Sequence, residues 1–359
     1  DSCKAALHDL EMFHQEIVEA LFNGAHGPVA KRVKNLCAQC DTFLANNRSP
    51  HRAFVYDQVV SFGELLSTSI ICAYLNHVGI AAEWVDARSC IKTDNFYRSA
   101  HLNWEQTQSA IQDQIQGNVL KVTQGFIASD ENNFTTTLGR EGSDYSAAIF
   151  AYCMGAIDVT IWKDVQGVLN ADPRVFDKTQ LLEHISYQEA IELAFYGASV
   201  IHPKTLQPLQ RKEIPLYVKS FLNPKQKGTK VGKGVRMQPE IPCYIVKKGL
   251  SLLRLSTRDF SFVVEDNISD IFKLLHEHKM SVDVIQNSAI SFSVCVEDKY
   301  HNMDALLLSL RSRFDVKHTP DVSLYTIRHF EENSASTLLS THELVLEQRT
   351  ATTLQLVLK

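Results

Sequence analysis

Thr135-Thr136-Thr137-Leu138-Gly139-Arg140-Glu141-Gly142-Ser143-Asp144 is the stretch on which the reading of this chain turns. It lies between an apolar run ending at Ala128 and a helical pattern over Tyr145–Met154. Its glycines permit a tight turn, and Ser143 or Asp144 is the expected helix N-cap. Such a turn aims backbone N–H groups and a helix N-terminus at one spot, which makes an anion site. Arg140 adds a planar donor fork suited to a carboxylate or phosphate. The bland alternative is a Gly/Ser loop that merely starts a helix. Three threonines, an arginine and an aspartate within the same ten residues favour function.

Working outward, residues 4–46 carry apolar positions at spacings of three and four (Leu7, Leu10, Phe13, Ile17; Val33, Leu36, Cys40), which predicts two helices broken between Gly24 and Pro28. Strand-like and helical patterns then alternate. Ala53–Val60, Ala81–Asp86, Val119–Thr123, Asp158–Trp162 and Ile214–Ser220 read as strands. Ser61–Leu75, Gln106–Ile115, Ser143–Met154 and Tyr187–Tyr196 read as helices. That order implies an α/β fold with a mostly parallel sheet covered on both faces. Pro224 to Gly234 is loop-like, and a domain boundary is expected near residue 239, giving 1–238 and 239–359. Beyond it, strands are expected at 243–248, 251–256, 281–287, 290–296, 314–318, 321–328, 342–348 and 352–358. Helices are expected at 268–279, 303–312 and 332–339. Residues 251–318 have the β-α-β-β-α-β order of a ferredoxin-like unit, so a second unit must be incomplete or borrow an element.

The chain of 359 residues is 45% apolar and 21% charged, which excludes a disordered or collagen-like polymer. A net charge of −5 argues against nucleic-acid binding. No uninterrupted apolar run nears the 18 or so residues of a membrane span, so no membrane partner is expected. Eight scattered cysteines include one C-x-x-C, Cys37 and Cys40, without a second pair. Small buried thiols in a reducing cytoplasm are the better reading. None of the 14 histidines has metal-ligand spacing, so no metal site on the protein is expected. His202, before Pro203, reads as packing, and Phe260 and Phe262 as core or interface.

The central stretch resembles the signature of aspartokinases, members of the amino-acid kinase family. Val60-Ser61-Phe62-Gly63-Glu64-Leu65-Leu66-Ser67, Asp86-Ala87-Arg88, Ile161-Trp162-Lys163-Asp164-Val165-Gln166-Gly167, Ala171-Asp172-Pro173-Arg174 and Ile201-His202-Pro203 are similar to further family motifs in the same order. The resemblance implies an amino-acid kinase fold and ATP-dependent phosphorylation of L-aspartate, with Mg2+ carried mainly on the phosphates. It implies that Glu64 holds the ammonium of aspartate and that Arg140 clamps a carboxylate. Ser143 and Asp144 would order the turn, with Arg140 and Asp144 as the catalytic pair, and Thr136 and Thr137 would line the cleft. Lys163, Asp164, Arg174 and Asn223 would meet the nucleotide. These types suit the task, because a zwitterionic diacid needs both charge signs and phosphoryl transfer needs alignment and charge neutralisation.

Four features depart from the family pattern. Glu141 stands where the family usually has Gly, Lys163 where it has Thr, Leu169 where it has Tyr, and Leu222 where some relatives have Lys; Lys163 would compensate for that last cation. The family opens with a strand ending Lys-Phe-Gly-Gly, and no Gly-Gly occurs here, so a chain lacking those opening strands is expected.

Residues 239–359 resemble tandem ACT modules, ferredoxin-like regulatory units that also dimerise. In Ser281-Val282-Asp283-Val284-Ile285-Gln286-Asn287-Ser288, Asp283 would take an effector's ammonium, and Gln286, Asn287 and Ser288 its carboxylate and side chain. Asn267 would cap the adjacent helix. Some lysine-inhibited relatives carry Glu where this chain has Ala289, which leaves lysine or threonine open as the effector. Two rivals stand beside this reading: a kinase for another amino acid, and a non-catalytic amino-acid-sensing subunit.

Overall fold

Two helices, α1 (Ser2–Phe22) and α2 (Gly27–Asn46), begin the chain. They bury Val18, Phe22, Val33, Leu36 and Cys37 against α3 (Arg52–His77) in one apolar cluster with Leu65, Leu66 and Ile70. In this computed structural model the described residues are 2–23, 27–198, 200–259 and 261–359. Gly24, Phe260 and the side chain of Cys3 fall outside them.

The strand expected over 53–60 is instead the start of α3. Asp57, Ser61, Leu65 and Thr68 are all buried, a spacing of four, four and three that only a helix puts on one face. Packing of that stripe overrides the strand preference of Val55, Val59 and Val60. An 18-residue stretch of α3 has mean hydropathy 1.3, apolar enough to cross a membrane by length and composition alone. Only one face of it is buried, and polar side chains on that face are bonded inside the protein.

The chain continues through β1 (Ala82–Val85), α4 (Ala87–Cys90), α5 (Trp104–Gln114), β2 (Leu120–Thr123), β3 (Ile127–Ser129), β4 (Thr135–Thr137) and α6 (Gly142–Met154). Then come β5 (Val159–Lys163), β6 (His184–Ser186), α7 (Tyr187–Tyr196), α8 (Pro203–Lys212), β7 (Leu216–Ser220) and β8 (Thr229–Gly232). The strands form three small sheets: β1–β2 parallel, β3–β4 antiparallel, and four strands in the order β5-β7-β8-β6 with β6–β8 parallel. Two compact units result, Asp1–Ile161 with Ile201–Tyr217, and Trp162–Val200 with Val218–Lys359.

In the second unit, β9 (Cys243–Thr257), α9 (Glu265–Glu277), β10 (Ser281–Asn287), β11 (Ser291–Glu297), α10 (Met303–Arg311), β12 (Phe314–Arg328), α11 (Ser336–Thr341), β13 (Leu344–Arg349) and β14 (Thr353–Leu358) build one sheet in the order β10-β11-β9-β12-β14-β13. Four of the eight expected strands are thus halves of two long ones. Gly249 (φ +71°) and Asp321 (φ +54°) bend β9 and β12 without ending them, where register shifts interrupt the pairing. The C-terminal half of β9 pairs with β11 in the first ferredoxin-like unit, whose strand order 2-3-1-4 is that of the motif. The N-terminal half of β9 pairs with the end of β12, beside β14 and β13, and is the element the second unit borrows. Leu253, Leu255, Phe292, Val294 and Phe314 are covered by Ile271 and Leu275 of α9 and Leu306 and Leu310 of α10. Burying a side chain such as Phe292 contributes about 1.5–3 kcal/mol. Phe262 is 70% exposed and does not join this core.

Helix α9 begins at Glu265, so Asn267 is its third residue rather than its cap. Its Oδ1 accepts from the Val264 N–H at 3.0 Å, which still satisfies a backbone donor at the helix entry.

Candidate active site

The turn that decides the fold is delivered by β4 and held from beneath by α3. Asp57, fully buried, accepts from the backbone N–H of Thr137 (2.9 Å), from the Thr137 hydroxyl (2.9 Å) and from the N–H of Arg98 (2.9 Å). At the next residue, the Gln58 amide donates to the Thr135 carbonyl at 2.7 Å and accepts from the Thr135 N–H at 3.2 Å, as a neighbouring strand would. Burial pushes the Asp57 carboxyl up, against the lowering effect of these hydrogen bonds. Neither residue stands out in the sequence. The signal available was Asp57 lying in register with Ser61 and Leu65 on a helix face otherwise meant for the core. Asp57→Ala, which strands three buried donors, is expected to cost about 2–3 kcal/mol. Asp57→Asn should cost about half that, and urea titration compares the two.

Thr136 and Thr137 are buried, and their hydroxyls are engaged internally, Thr136 with Thr93 at 2.6 Å and Thr137 with Asp57. They shape the floor of the turn. Gly139 (φ +78°) then bends the chain, and a Cβ there would lie 3.1 Å from the Arg98 carbonyl. Gly142 packs on Phe126, and Gly125 lies so close to Ser143 that a Cβ would sit 2.7 Å from the serine Cβ. Exposed Ser143 is therefore held by backbone contact with the 125–126 loop.

Helix α6 starts at Gly142 with Glu141 in the N-cap position, and no side chain caps it. The expected cap at Ser143 or Asp144 is not realised, because both residues already lie inside the first turn. Glu141 adopts φ +53° and ψ +31°, the left-handed region that glycine occupies without strain. Glu141→Gly is expected to stabilise the protein by about 1 kcal/mol, a rise of about 2–4 °C in Tm by calorimetry.

Arg140 is exposed, and among the described residues its guanidinium makes no hydrogen bond or ion pair. Glu64, half-buried on α3, likewise has no hydrogen-bond or ion-pair partner among them, and burial pushes its carboxyl up. The helix that carries Glu64 is thus the one bonded to the strand that presents Arg140. His202 caps α8 by accepting from the Lys204 N–H at 3.2 Å. Burial, then Lys204 and Arg140, lower its pKa, so it is a neutral cap rather than an acid.

In the second unit, Lys163 ends β5 and its carbonyl accepts from the Phe221 N–H at 3.0 Å, which sets it beside the loop containing exposed Asn223. Asp164 is exposed in the following loop. That loop is anchored where the Thr229 hydroxyl accepts from the Val168 N–H at 2.8 Å. The exposed Arg174 guanidinium is held by Asp172 through a 2.7 Å ion pair that lowers the Asp172 pKa. Farther on, Asn170, Ala171 and Phe176 dock on the start of β9: the Tyr244 N–H donates to the Asn170 carbonyl at 2.7 Å, and the Phe176 and Tyr244 rings lie 5.5 Å apart. Asp283 lies at a bulge of β10, its carboxylate 2.5 Å from the Lys247 ammonium. Exposed Gln286 donates to the Glu347 carbonyl at 3.3 Å. Exposed Ser288 bonds Ser291 across the β10–β11 turn, beside exposed Asn287. Among the described residues no group of three His, Cys, Asp or Glu side chains is placed to hold a metal.

The model of the Amino acid kinase family matches residues 4–220. The lysine-sensitive aspartokinase 3 of Escherichia coli (strain K12) is 34% identical over 244 residues, 67% of this chain and 54% of that protein. The chloroplastic aspartokinase 1 of Arabidopsis thaliana is 36% identical over 251 residues, 67% of this chain and 43% of that protein. The chain thus spans about half the length of the curated relatives it matches. Among solved structures, E. coli aspartokinase III in complex with lysine and aspartate (T-state) superposes with a TM-score of 0.80 at 26% identity, covering 98% of this chain and 82% of that one. The same enzyme with aspartate and ADP (R-state) gives 0.73 at 26% identity, covering 91% and 77%. With α2 to β7 and nearly all of α1 inside the family match, which takes in more than half of the chain, this chain is a member of the amino acid kinase family.

Proposed function

We propose that the protein transfers the γ-phosphoryl group of ATP to the β-carboxylate of L-aspartate, forming 4-phospho-L-aspartate, under feedback control by an amino acid. The observation that carries this is a pair of charged side chains that make no hydrogen bond or ion pair among the described residues. Glu64 and Arg140 sit on elements bonded to each other and offer the two signs that an amino-dicarboxylate needs. Residues 1–238 would form the catalytic part and 239–359 the regulatory part, dimerising through its ACT units. Among the described residues the buried cysteines form no disulfide, which suits a reducing compartment such as the cytoplasm.

In the mechanism, Arg140 holds a substrate carboxylate in its planar fork and Glu64 the ammonium, so that the β-carboxylate oxygen is aimed for in-line attack. The first turn of α6 adds its positive dipole end at the same place. Lys163, Arg174 and Asn223 fit a triphosphate by charge and hydrogen-bonding type, with Asp164 the one acid in that set. MgATP supplies the phosphoryl group, and its metal would be carried mainly by phosphate oxygens. No protein nucleophile is required.

The test is an assay of ADP release by the purified chain against L-aspartate, L-glutamate and other amino-acid carboxylates, with hydroxylamine trapping of the acyl phosphate. Turnover with aspartate alone supports the reading. Turnover with another acid replaces the substrate, and no turnover combined with amino-acid binding makes the protein a sensing subunit.

A further inference from the structure

Asp283 is the residue of the regulatory part expected to receive an effector's ammonium, yet a cation of the chain itself already stands there. The Lys247 Nζ lies 2.5 Å from Asp283 Oδ1, and the aspartate side chain is only 6% exposed. The other carboxylate oxygen, Oδ2, is buried and makes no hydrogen bond. An irregularity between Val282 and Val284 in the pairing with β11 places Asp283 at a bulge, a device that re-aims a side chain. The neighbouring Cys295 thiol, pushed up to about 12 by burial and by Asp283, stays neutral and adds no competing charge.

Lys247 has a second contact. Its stem lies across Gly197, the C-cap of α7, where a Cβ would come within 3.0 Å of Lys247 Cε and where φ is +121°. A side chain at 197 would be strained at this φ, and the lysine stem would have to give way to its Cβ. One side chain therefore joins the end of α7 to the acid of the effector pocket.

We propose that Lys247 is an internal stand-in for the effector, a cation that the ammonium of a bound amino acid displaces from Asp283. An incoming ammonium that takes the place of the lysine head finds in Oδ2 a second acceptor that the lysine leaves unfilled. Two like charges on one carboxylate repel, and the lysine, 30% exposed, has solvent to move into. Its departure uncovers Gly197 and the C-terminal end of α7, so that occupancy of the pocket is felt on a helix of the kinase part. The proposal rests on the reading of Asp283 as an effector-site residue, and the experiment separates the two.

L-Lysine and L-threonine are titrated in turn into the full chain by calorimetry, into wild type, Lys247→Met and Asp283→Asn. The expected result is about tenfold tighter binding of one of them to Lys247→Met, and no binding to Asp283→Asn. In the wild type, a saturating effector should also raise the acylation rate of the Lys247 amine several-fold by quantitative mass spectrometry, a readout that does not depend on the variant folding. If Asp283→Asn loses binding but Lys247→Met binds no tighter and the amine is no more reactive, the stand-in is overturned while the effector site survives. If Asp283→Asn binds like wild type, or if neither amino acid binds wild type or Lys247→Met, the effector reading falls and the stand-in with it.

Discussion

Arg328→Ala is expected to cost about 3–5 kcal/mol of stability in the unit that contains α7 and the C-terminal sheet. Arg328 ends β12 and reaches the Glu189 carboxylate of α7 with two bonds, Nε at 3.2 Å and Nη2 at 2.7 Å. Both side chains are 9% exposed. A third Arg328 nitrogen donates to the Thr353 hydroxyl at 2.7 Å. His329 Nε2 lies 2.9 Å from the same Glu189 oxygen, off the hydrogen-bonding direction. Burial alone would push the Glu189 carboxyl up, but the two hydrogen bonds and the charge of Arg328, with His329 close by, outweigh it and hold the group below the usual glutamate range. Removing the arginine leaves a buried carboxylate with little compensation. Chemical denaturation of the variant should show the loss, and Glu189→Leu with Arg328→Met together should recover most of it, since a well-packed apolar pair dispenses with both charges. The sign with pH follows. Between the lowered value and the ordinary one of roughly 4.3, the native state binds fewer protons than the unfolded chain. The pair's contribution is complete above the ordinary value and is lost as pH falls through the lowered one. A wild-type stability that does not fall in that acid range faster than the Arg328→Met, Glu189→Leu variant would contradict this account.

Arg140→Ala is expected to lower kcat/KM for aspartate by about 10²–10³-fold, equivalent to 2.7–4 kcal/mol of transition-state binding. Stability should stay within about 0.5 kcal/mol of wild type, because the side chain is exposed and makes no hydrogen bond or ion pair among the described residues. Arg140→Lys keeps the charge without the planar fork and should fall between the two. Steady-state kinetics with both substrates varied, beside a melting curve, separates this from a folding defect. Unchanged kcat/KM in Arg140→Ala would remove the carboxylate clamp from the mechanism.

The legible parts of this fold were those set by local pattern. The two opening helices, β1, α5, β2, α6, β5, and the strands and helices of the C-terminal part fall within a few residues of where apolar spacing puts them. What misled was composition without context. Val55, Val59 and Val60 favour a strand, and only the buried Asp57–Ser61–Leu65 stripe shows that the segment is helical. Short elements such as α4, β3 and β6 carry too few residues for a period to register. The glycine-and-arginine turn was legible because its chemistry is written in consecutive residues. Asp57 and Gln58, which hold it from 77–80 positions away, were not, since nothing in a linear string marks which side chain will meet a distant strand. The Arg328–Glu189 pair, 139 residues apart, was invisible for the same reason.

The two fifteen-residue strands β9 and β12 run through both ferredoxin-like units without a joint. The units are therefore not beads on a string that could be cut apart or exchanged singly between relatives: a scission at Gly249 would deprive each half of a rib. A twist imposed where β10 meets β11 can reach the far edge along these two ribs only through the bends at Gly249 and Asp321, which makes those bends the place where it is passed on or absorbed.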